Sequence, residues 1–234
     1  MEPVLSVVIP AYNEANRLGS TLLRISDHLV RKRALYEILV VDDGSRDDTV
    51  EIAEGFGEQG VTVLRQPKNR GKGAAVRRGV LASRGSRILL SDADLSTPIE
   101  DLERLVPHLA SAPLVLGSRS VSSSEITLRQ PFYREFMGKT FNRIIRLAGV
   151  GGIRDTQCGF KLLDGEIARS LFAELITDGF AFDVELVWLA RRAGHEVVEV
   201  GVHWHNSPDS RVHPIRDSLA MLREIVRFRL HHRK

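Results

Sequence analysis

Two carboxylates one residue apart, Asp92 and Asp94, close the short apolar run Arg87-Ile88-Leu89-Leu90-Ser91. An apolar run of that length ending abruptly in acids reads as a buried strand that delivers them to its mouth, where open α/β sheets bind ligands. Paired aspartates offer hard oxygen donors to Mg²⁺ or Mn²⁺, which complete their shells with water and phosphate oxygens. Ser96 is near enough in sequence to join such a shell through water. Taken alone, Asp-x-Asp reads equally as a solvated acidic turn, so the rest of the chain has to decide.

The same pattern of an apolar run followed by polar residues recurs. Leu5 to Ile9 leads through Pro10 into Ala11-Tyr12-Asn13-Glu14, Ile38 to Val41 into Asp42-Asp43-Gly44-Ser45, and Leu114 to Leu116 into Gly117-Ser118-Arg119. Carboxylates at several strand ends on one sheet edge suit a nucleotide carrying a metal-bound diphosphate. A guanidinium directly after a strand, as at Arg119, can grip a phosphate with two parallel hydrogen bonds; Arg134 and Arg211 are further candidates. Arg134 reads equally as a solvated residue on an amphipathic helix. No Gly-x-Gly-x-x-Gly follows the first run, and Gly71-Lys72-Gly73 lacks the spacing of a P-loop, which argues against both of those nucleotide-binding classes. Lys72 reads either as a diphosphate contact or as a surface lysine in a glycine-rich loop. Cys158 is the only cysteine, so no intrachain disulfide exists, a reducing compartment is expected, and the thiol reads as a small packed residue. His203 and His205 have no third His or Cys at ligand spacing and read as strand-face residues.

The elements that must position these groups follow from periodicity. Apolar runs at 5–9, 38–41, 61–64, 87–90 and 114–116 alternate with amphipathic stretches at 16–31, 49–56, 71–83 and 98–109, the last with Thr97 as N-cap and Pro98 at its first position. This alternation predicts one Rossmann-like α/β domain, a mostly parallel sheet with helices on both faces. Asp155 to Leu162 is polar and then apolar, as expected of a segment returning to the site before a further short strand. Helices are predicted over 132–147, 167–175 and 182–192, and a late strand over 196–204. Asp183 and Glu185 near the start of their helix also suit its dipole. The expected division is a domain over 1–209 and a basic amphipathic helix over 210–234, packed on the domain or lying at a membrane surface.

At 234 residues and 43% hydrophobic, the chain supports one substantial core, and its formal charge of +3 is small. The charge is uneven: from Arg211 onward seven Lys or Arg face two acids, Asp217 and Glu224. No apolar run approaches the roughly 18–20 residues that span a bilayer, and the first ten residues lack the basic start of a secretion signal. The expected location is cytoplasmic, peripheral on the cytosolic face of a membrane, with no nucleic-acid partner.

Taken together, Pro10 to Glu14, Asp42 to Ser45, Asn69-Arg70-Gly71-Lys72-Gly73, Asp92-Ala93-Asp94 and Gly117-Ser118-Arg119 resemble the ordered motifs of the inverting family 2 glycosyltransferases, which have a GT-A fold. Gly152 to Leu162, Ala181-Phe182-Asp183-Val184-Glu185-Leu186 and Val202-His203-Trp204 resemble the dolichyl-phosphate glucosyltransferases more than the dolichyl-phosphate mannose synthases. The likeness runs from about Leu5 to Arg211. Two features depart from it: the N-terminal membrane anchor of the eukaryotic enzymes, and a late Gly-Ser-Lys that stands here as Asp209-Ser210-Arg211. The resemblance implies a transfer of glucose from UDP-glucose to a polyprenyl phosphate, with GDP-mannose or another nucleotide sugar as the alternative donor. In that chemistry an acceptor phosphate oxygen attacks the sugar C1, and Mg²⁺ or Mn²⁺ is held by Asp92 and Asp94 with Ser96. Asp42 then sits near the base or ribose, and Asp43 is among the residues that bind the nucleotide sugar. Pro10, Ala11, Tyr12 and Glu14 shape the nucleotide pocket, with a core or capping role as the competing reading of Tyr12. Gly71, Lys72 and Ala93 meet the nucleotide sugar, and Asp155 and Gln157 line the sugar pocket. Arg119, Arg134 and Arg211 grip the acceptor phosphate. Asp183, a base in relatives with hydroxyl acceptors, orients sugar or an arginine here. The non-enzymatic alternative is a basic membrane or nucleic-acid binding module on a transferase fold.

Overall fold

The computed structural model describes residues 2–126, 151–205 and 214–233. Strands β1 (Leu5–Ala11), β2 (Tyr36–Asp42), β3 (Val61–Arg65), β4 (Arg87–Leu90) and β5 (Leu114–Ser118) join β7 (Lys161–Asp164) and β8 (Val197–Gly201) in a seven-stranded sheet of order β3-β2-β1-β4-β7-β5-β8. The short β6 (Glu125–Ile126) pairs in parallel with β9 (His203–Trp204) as a separate ladder. Within the main sheet every pairing is parallel except those of β7, which runs antiparallel to both β4 and β5. With β7 reversed between them, β4 and β5 point the same way, so the C-terminal ends of β1, β2, β4 and β5 lie on one edge.

Alternate residues of each strand feed the two faces of the sheet. Helix α1 (Ala15–Arg31) lays Leu18, Leu22, Ile25 and Leu29 against Val7, Ile9, Ile38 and Val40. On the opposite face Val8, Leu39 and Val41 meet α3 (Lys72–Ala82), in one cluster with α5 (Gly165–Glu174) and α6 (Phe182–Arg192). The remaining α-helices among the described residues are the short α2 (Thr49–Glu54) and α4 (Leu102–Leu105), and α7 (Pro214–His231). Met221, Ile225 and Phe228 of α7 pack with Val184 and Val187 of α6 and Leu116 of β5, so this helix is seated on the domain.

Three expectations are corrected. The helix read over 98–109 is instead a 3-10 turn at Ile99–Asp101, the single turn α4, and a second 3-10 turn at Val106–Ala110. Pro107 has no N–H to continue an α-helical ladder, which accounts for the break. Pro98 is extended (φ −62°, ψ 145°), precedes the first turn and itself takes the cap position expected for Thr97. The single late strand is two, because the chain leaves the main sheet after Gly201 to pair β9 with β6. The helix expected over 132–147, with Arg134, and Arg211 lie outside the described residues.

Gly79 on α3 is where the helix comes closest to the sheet: an added Cβ would stand 2.4 Å from Val8 Cγ1 and 2.9 Å from Val41 Cγ2, both in fully buried residues. Gly79→Ala should gain up to about 1 kcal/mol in helix propensity and lose about 1–3 kcal/mol to overpacking. The expected outcome is a net loss of stability, measured as a lower urea midpoint; an unchanged or higher midpoint would show that the layer can give way.

Candidate active site

The aligned strand ends build a cleft of about 650 Å³ above β1, β2 and β3, lined by Tyr12, Asp42, Gly44, Ser45, Gln66 and Asn69 among others. Successive residues of an extended chain face opposite ways, and Asp42 and Asp43 accordingly do different work. Asp42, at the cleft wall, accepts hydrogen bonds from the backbone N–H of Ser45 (3.1 Å) and Gly44 (3.2 Å), which shapes the turn. Asp43 accepts from Gln66 Nε2, Arg70 N and Gly71 N, all at 2.8 Å, and so clamps the loop that starts α3. Burial pushes the Asp43 carboxyl up, Asp42 adds to this, and the two loop N–H groups pull it back only partly. Ala11 at the end of β1 accepts from Asp43 N at 2.8 Å, with Pro10 just before it in the strand. Glu14 pairs with Arg17 (Nη2 to Oε1, 2.9 Å), whose Nη1 lies 3.7 Å from Asp94 Oδ2, so these expected site residues are joined through an arginine that sequence reading did not single out.

Asp92 sits where three further segments meet. Lys72, from the first turn of α3, donates to its Oδ1 at 2.6 Å. Gly159 lies directly against it: an added Cβ would fall 2.0–2.6 Å from the carboxylate atoms, so only glycine fits beside this aspartate. Burial pushes the Asp92 carboxyl up, but the ammonium of Lys72, with Lys161 and Arg119 behind it, outweighs burial and holds it below its ordinary value. The same carboxylate, with Asp183, keeps half-buried Lys72 firmly charged against the cost of desolvation.

Arg119 follows β5 and forms a two-pronged pair with Asp155, Nε to Oδ2 at 2.7 Å and Nη2 to Oδ1 at 2.8 Å, while its backbone N–H donates to Oδ2 at 3.0 Å. Its guanidinium also lies 5.5 Å from the centre of the Trp204 ring. Asp155 is fully enclosed, and its loop is held by Glu199 of β8, which accepts from Arg154 N at 2.7 Å and Asp155 N at 2.8 Å. Burial raises the Asp155 carboxyl, and Arg119 more than reverses this. Gln157 is turned toward α7, its Nε2 3.6 Å from Met221 Sδ.

A second residue that sequence reading missed is Lys161, the first residue of β7, 1% exposed and between Leu90 of β4 and Leu116 of β5 in register. Its ammonium meets Asp183 Oδ1 at 2.6 Å and donates to the carbonyl of Cys158. The available signal was a lysine inside the otherwise apolar run Phe160-Lys161-Leu162-Leu163, since a lysine at a two-sided strand position has to be paired. Burial raises the Asp183 carboxyl, and Lys161 and Lys72 counter this only in part. Burial also raises the Cys158 thiol, which stays protonated as a packed residue.

Asp94 Oδ1 accepts from Ser96 N at 3.0 Å, and Ala93, between the two acids, is buried and accepts from Thr21 Oγ1 at 2.8 Å. A narrow slit beside them is lined by Ser91, Asp92, Ser96, Gly159 and Trp204; the Ser91 hydroxyl there is buried with no hydrogen-bond partner among the described residues. His205 N donates to Ser96 O at 2.8 Å, which ties the end of β9 to this loop. Among the described residues no cluster of three or more His, Cys, Asp or Glu could cage a metal by itself. Two carboxylates and hydroxyls fit a hard divalent ion that draws its remaining oxygens from a bound diphosphate and water. His203 instead pairs with Asp101, Nδ1 to Oδ1 at 2.6 Å.

A mostly parallel seven-stranded sheet with strand-end carboxylates round an Asp-x-Asp loop is a domain of GT-A architecture. The model of the family described as "Glycosyl transferase family 2" matches residues 6–172, and the chain belongs to that family. It is 37% identical to a dolichyl-phosphate beta-glucosyltransferase of Dictyostelium discoideum, the match covering 96% of this chain and 73% of that protein. It is 39% identical to the Drosophila melanogaster protein of the same name, covering 94% and 73%. Among solved structures it is similar to mannosyl-3-phosphoglycerate synthase from Rubrobacter xylanophilus, with a TM-score of 0.72, 22% identity, and coverage of 99% of this chain and 76% of that one. Glucosyl-3-phosphoglycerate synthase from Mycobacterium tuberculosis, in complex with Mn²⁺, UDP and product, matches with a TM-score of 0.68, 23% identity, and coverage of 96% and 77%.

Lys161→Met leaves Asp183 buried without its partner, and breaking such a pair costs about 3–5 kcal/mol. In the variant the folded Asp183 pKa lies above its unfolded value of about 3.9, so the carboxyl contributes fully at low pH and its contribution is lost as pH rises through the folded pKa. Urea midpoints should therefore show a larger loss near pH 8 than near pH 5. An equal loss at both would mean that Asp183 does not titrate against Lys161.

Proposed function

We propose that the protein transfers glucose from UDP-glucose to a polyprenyl phosphate at the cytosolic face of a membrane. The observation that carries this is the position of Asp155 to Lys161. The segment that resembles the dolichyl-phosphate glucosyltransferases supplies Arg119's partner, the glycine against Asp92 and the lysine on Asp183. The names of the relatives at 37–39% identity support the same donor sugar and acceptor class.

In this reading the nucleoside lies in the cleft over Tyr12 and Asp42, and the diphosphate reaches toward Asp92, Asp94 and Lys72. Asp92 and Asp94, with Ser96 nearby, would hold a divalent ion, which would supply positive charge against the leaving diphosphate. An oxygen of the acceptor phosphate attacks the sugar C1, the bond from C1 to the diphosphate oxygen breaks, and the anomeric centre inverts. A phosphate monoester is already largely ionised near neutral pH, its second pKa being about 6, so attack needs no proton removed. Asp183, held by Lys161, accordingly serves to fix the cluster and not to deprotonate. Arg119, with its Nε and Nη2 edge on Asp155, would meet a phosphate through its Nη1 end, and Arg134 and Arg211 are the other proposed grips. Preorganised charge and position, more than acid–base chemistry, supply the rate.

The test is to incubate the protein with Mg²⁺ or Mn²⁺, a short prenyl phosphate, and UDP-glucose or GDP-mannose in turn, and to weigh the lipid product. UDP-glucose should give glucosyl phosphoprenol, chelation should abolish it, and Asp94→Asn should lower kcat by about 100-fold or more with unchanged melting. Product from GDP-mannose alone would replace the donor assignment. Folded protein that yields no lipid-linked sugar from any donor would overturn the reading.

A further inference from the structure

Helix α7 has two faces of different chemistry. Inward, Met221, Ile225 and Phe228 are buried. Glu224, the only acid between Ser218 and Arg233, is also turned inward, where its carboxylate accepts from Gly179 N at 3.1 Å and Ala181 N at 3.2 Å. Outward, Leu219, Val226 and Leu230 are 53%, 59% and 57% exposed, and exposed Arg223 and Arg227 lie among them. Positions 219, 223, 226 and 230 follow the three-or-four-residue spacing of a single helical stripe. The stripe thus holds branched apolar groups and guanidinium groups with no carboxylate.

We propose that this outer face of α7 docks on an anionic lipid surface, with Leu219, Val226 and Leu230 in the acyl boundary and Arg223 and Arg227 among the lipid phosphates. Apolar and cationic side chains interleaved on one helix face are what an interfacial helix requires, and long arginine stems reach headgroups while their methylenes stay apolar. A second copy of the chain is a poor occupant, because pairing two such faces would bring arginines against arginines. The helix is also joined to the site, through Met221 on Gln157 and through Glu224 on the turn that precedes the helix of Asp183. A docked α7 would therefore hold the site at a fixed height above the lipid.

The test uses the full chain and vesicles of phosphatidylcholine, alone or mixed with phosphatidylglycerol, with no donor or acceptor present, so that its outcome does not depend on the transferase reading. The protein should sediment with the mixed vesicles at low salt and come off at high salt. Replacing Leu219, Val226 and Leu230 together by Ser should weaken this by about tenfold or more. Arg223→Gln with Arg227→Gln should cost about fivefold per arginine. Melting should stay at the wild-type level in both variants. Wild-type protein that does not sediment, variants that sediment as wild type does, or variants whose only change is in self-association would each overturn the proposal.

Discussion

The site depends on a buried balance of charge. Lys161, with almost no exposure, stands inside the sheet because Asp183 and a carbonyl receive its ammonium, and its field with that of Lys72 lets Asp92 stay ionised against the pull of burial. Remove one member and a neighbouring charge is left desolvated, which costs more than the pair contributes. Arg119 and Asp155 repeat the arrangement one strand over. The catalytic edge is therefore a single electrostatic unit, drawn from α3, β4, β5, β7 and α6, and its members owe their ionisation to one another more than to solvent.

Strand β7 is what brings that unit together. Parallel strands alone would carry every C-terminal end to the edge and every N-terminal end away from it. By entering the sheet from the ligand side, β7 delivers its beginning there: Gly159 comes against Asp92 and Lys161 comes between β4 and β5. Glu199 on β8 then holds the loop of Asp155 from the other side. The rim is consequently made of strand ends and of one strand start, and the segment leading into that start lies directly against the central aspartate.

Much of this was legible in the sequence. Short apolar runs that end in polar turn residues located β1, β2 and β4, and with the last two the placement of Asp42, Asp92 and Asp94, because runs of four or five β-branched or aliphatic residues are too short for a helix and are bounded by turn signals. The direction of β7 was not legible, since four residues carry no record of which way they run. Nor was the division of labour between Asp42 and Asp43, which depends on which face of the chain meets the loop at Arg70 and Gly71. Arg119 read as a phosphate grip from its place after a strand, while its engagement by Asp155 required knowing that residues 36 apart converge. Lys161 was overlooked because a lysine in an apolar run looks like a boundary until the strands on both sides are seen. The helix over 98–109 failed on Pro107, a breaker inside an otherwise helical pattern.

The late arrival of β7 also bears on how the chain is made. Until residues 161–164 emerge, β4 has β1 as its only neighbour, and its other edge, with Ile88, Leu89 and Leu90, is an open border of a half-built sheet. At about 5–20 residues per second, the roughly 70 residues between them take several seconds to synthesise, and an uncovered border of that kind invites pairing with other nascent chains. Biosynthesis of this enzyme thus passes through an interval in which chaperone protection of the amino-terminal half matters most.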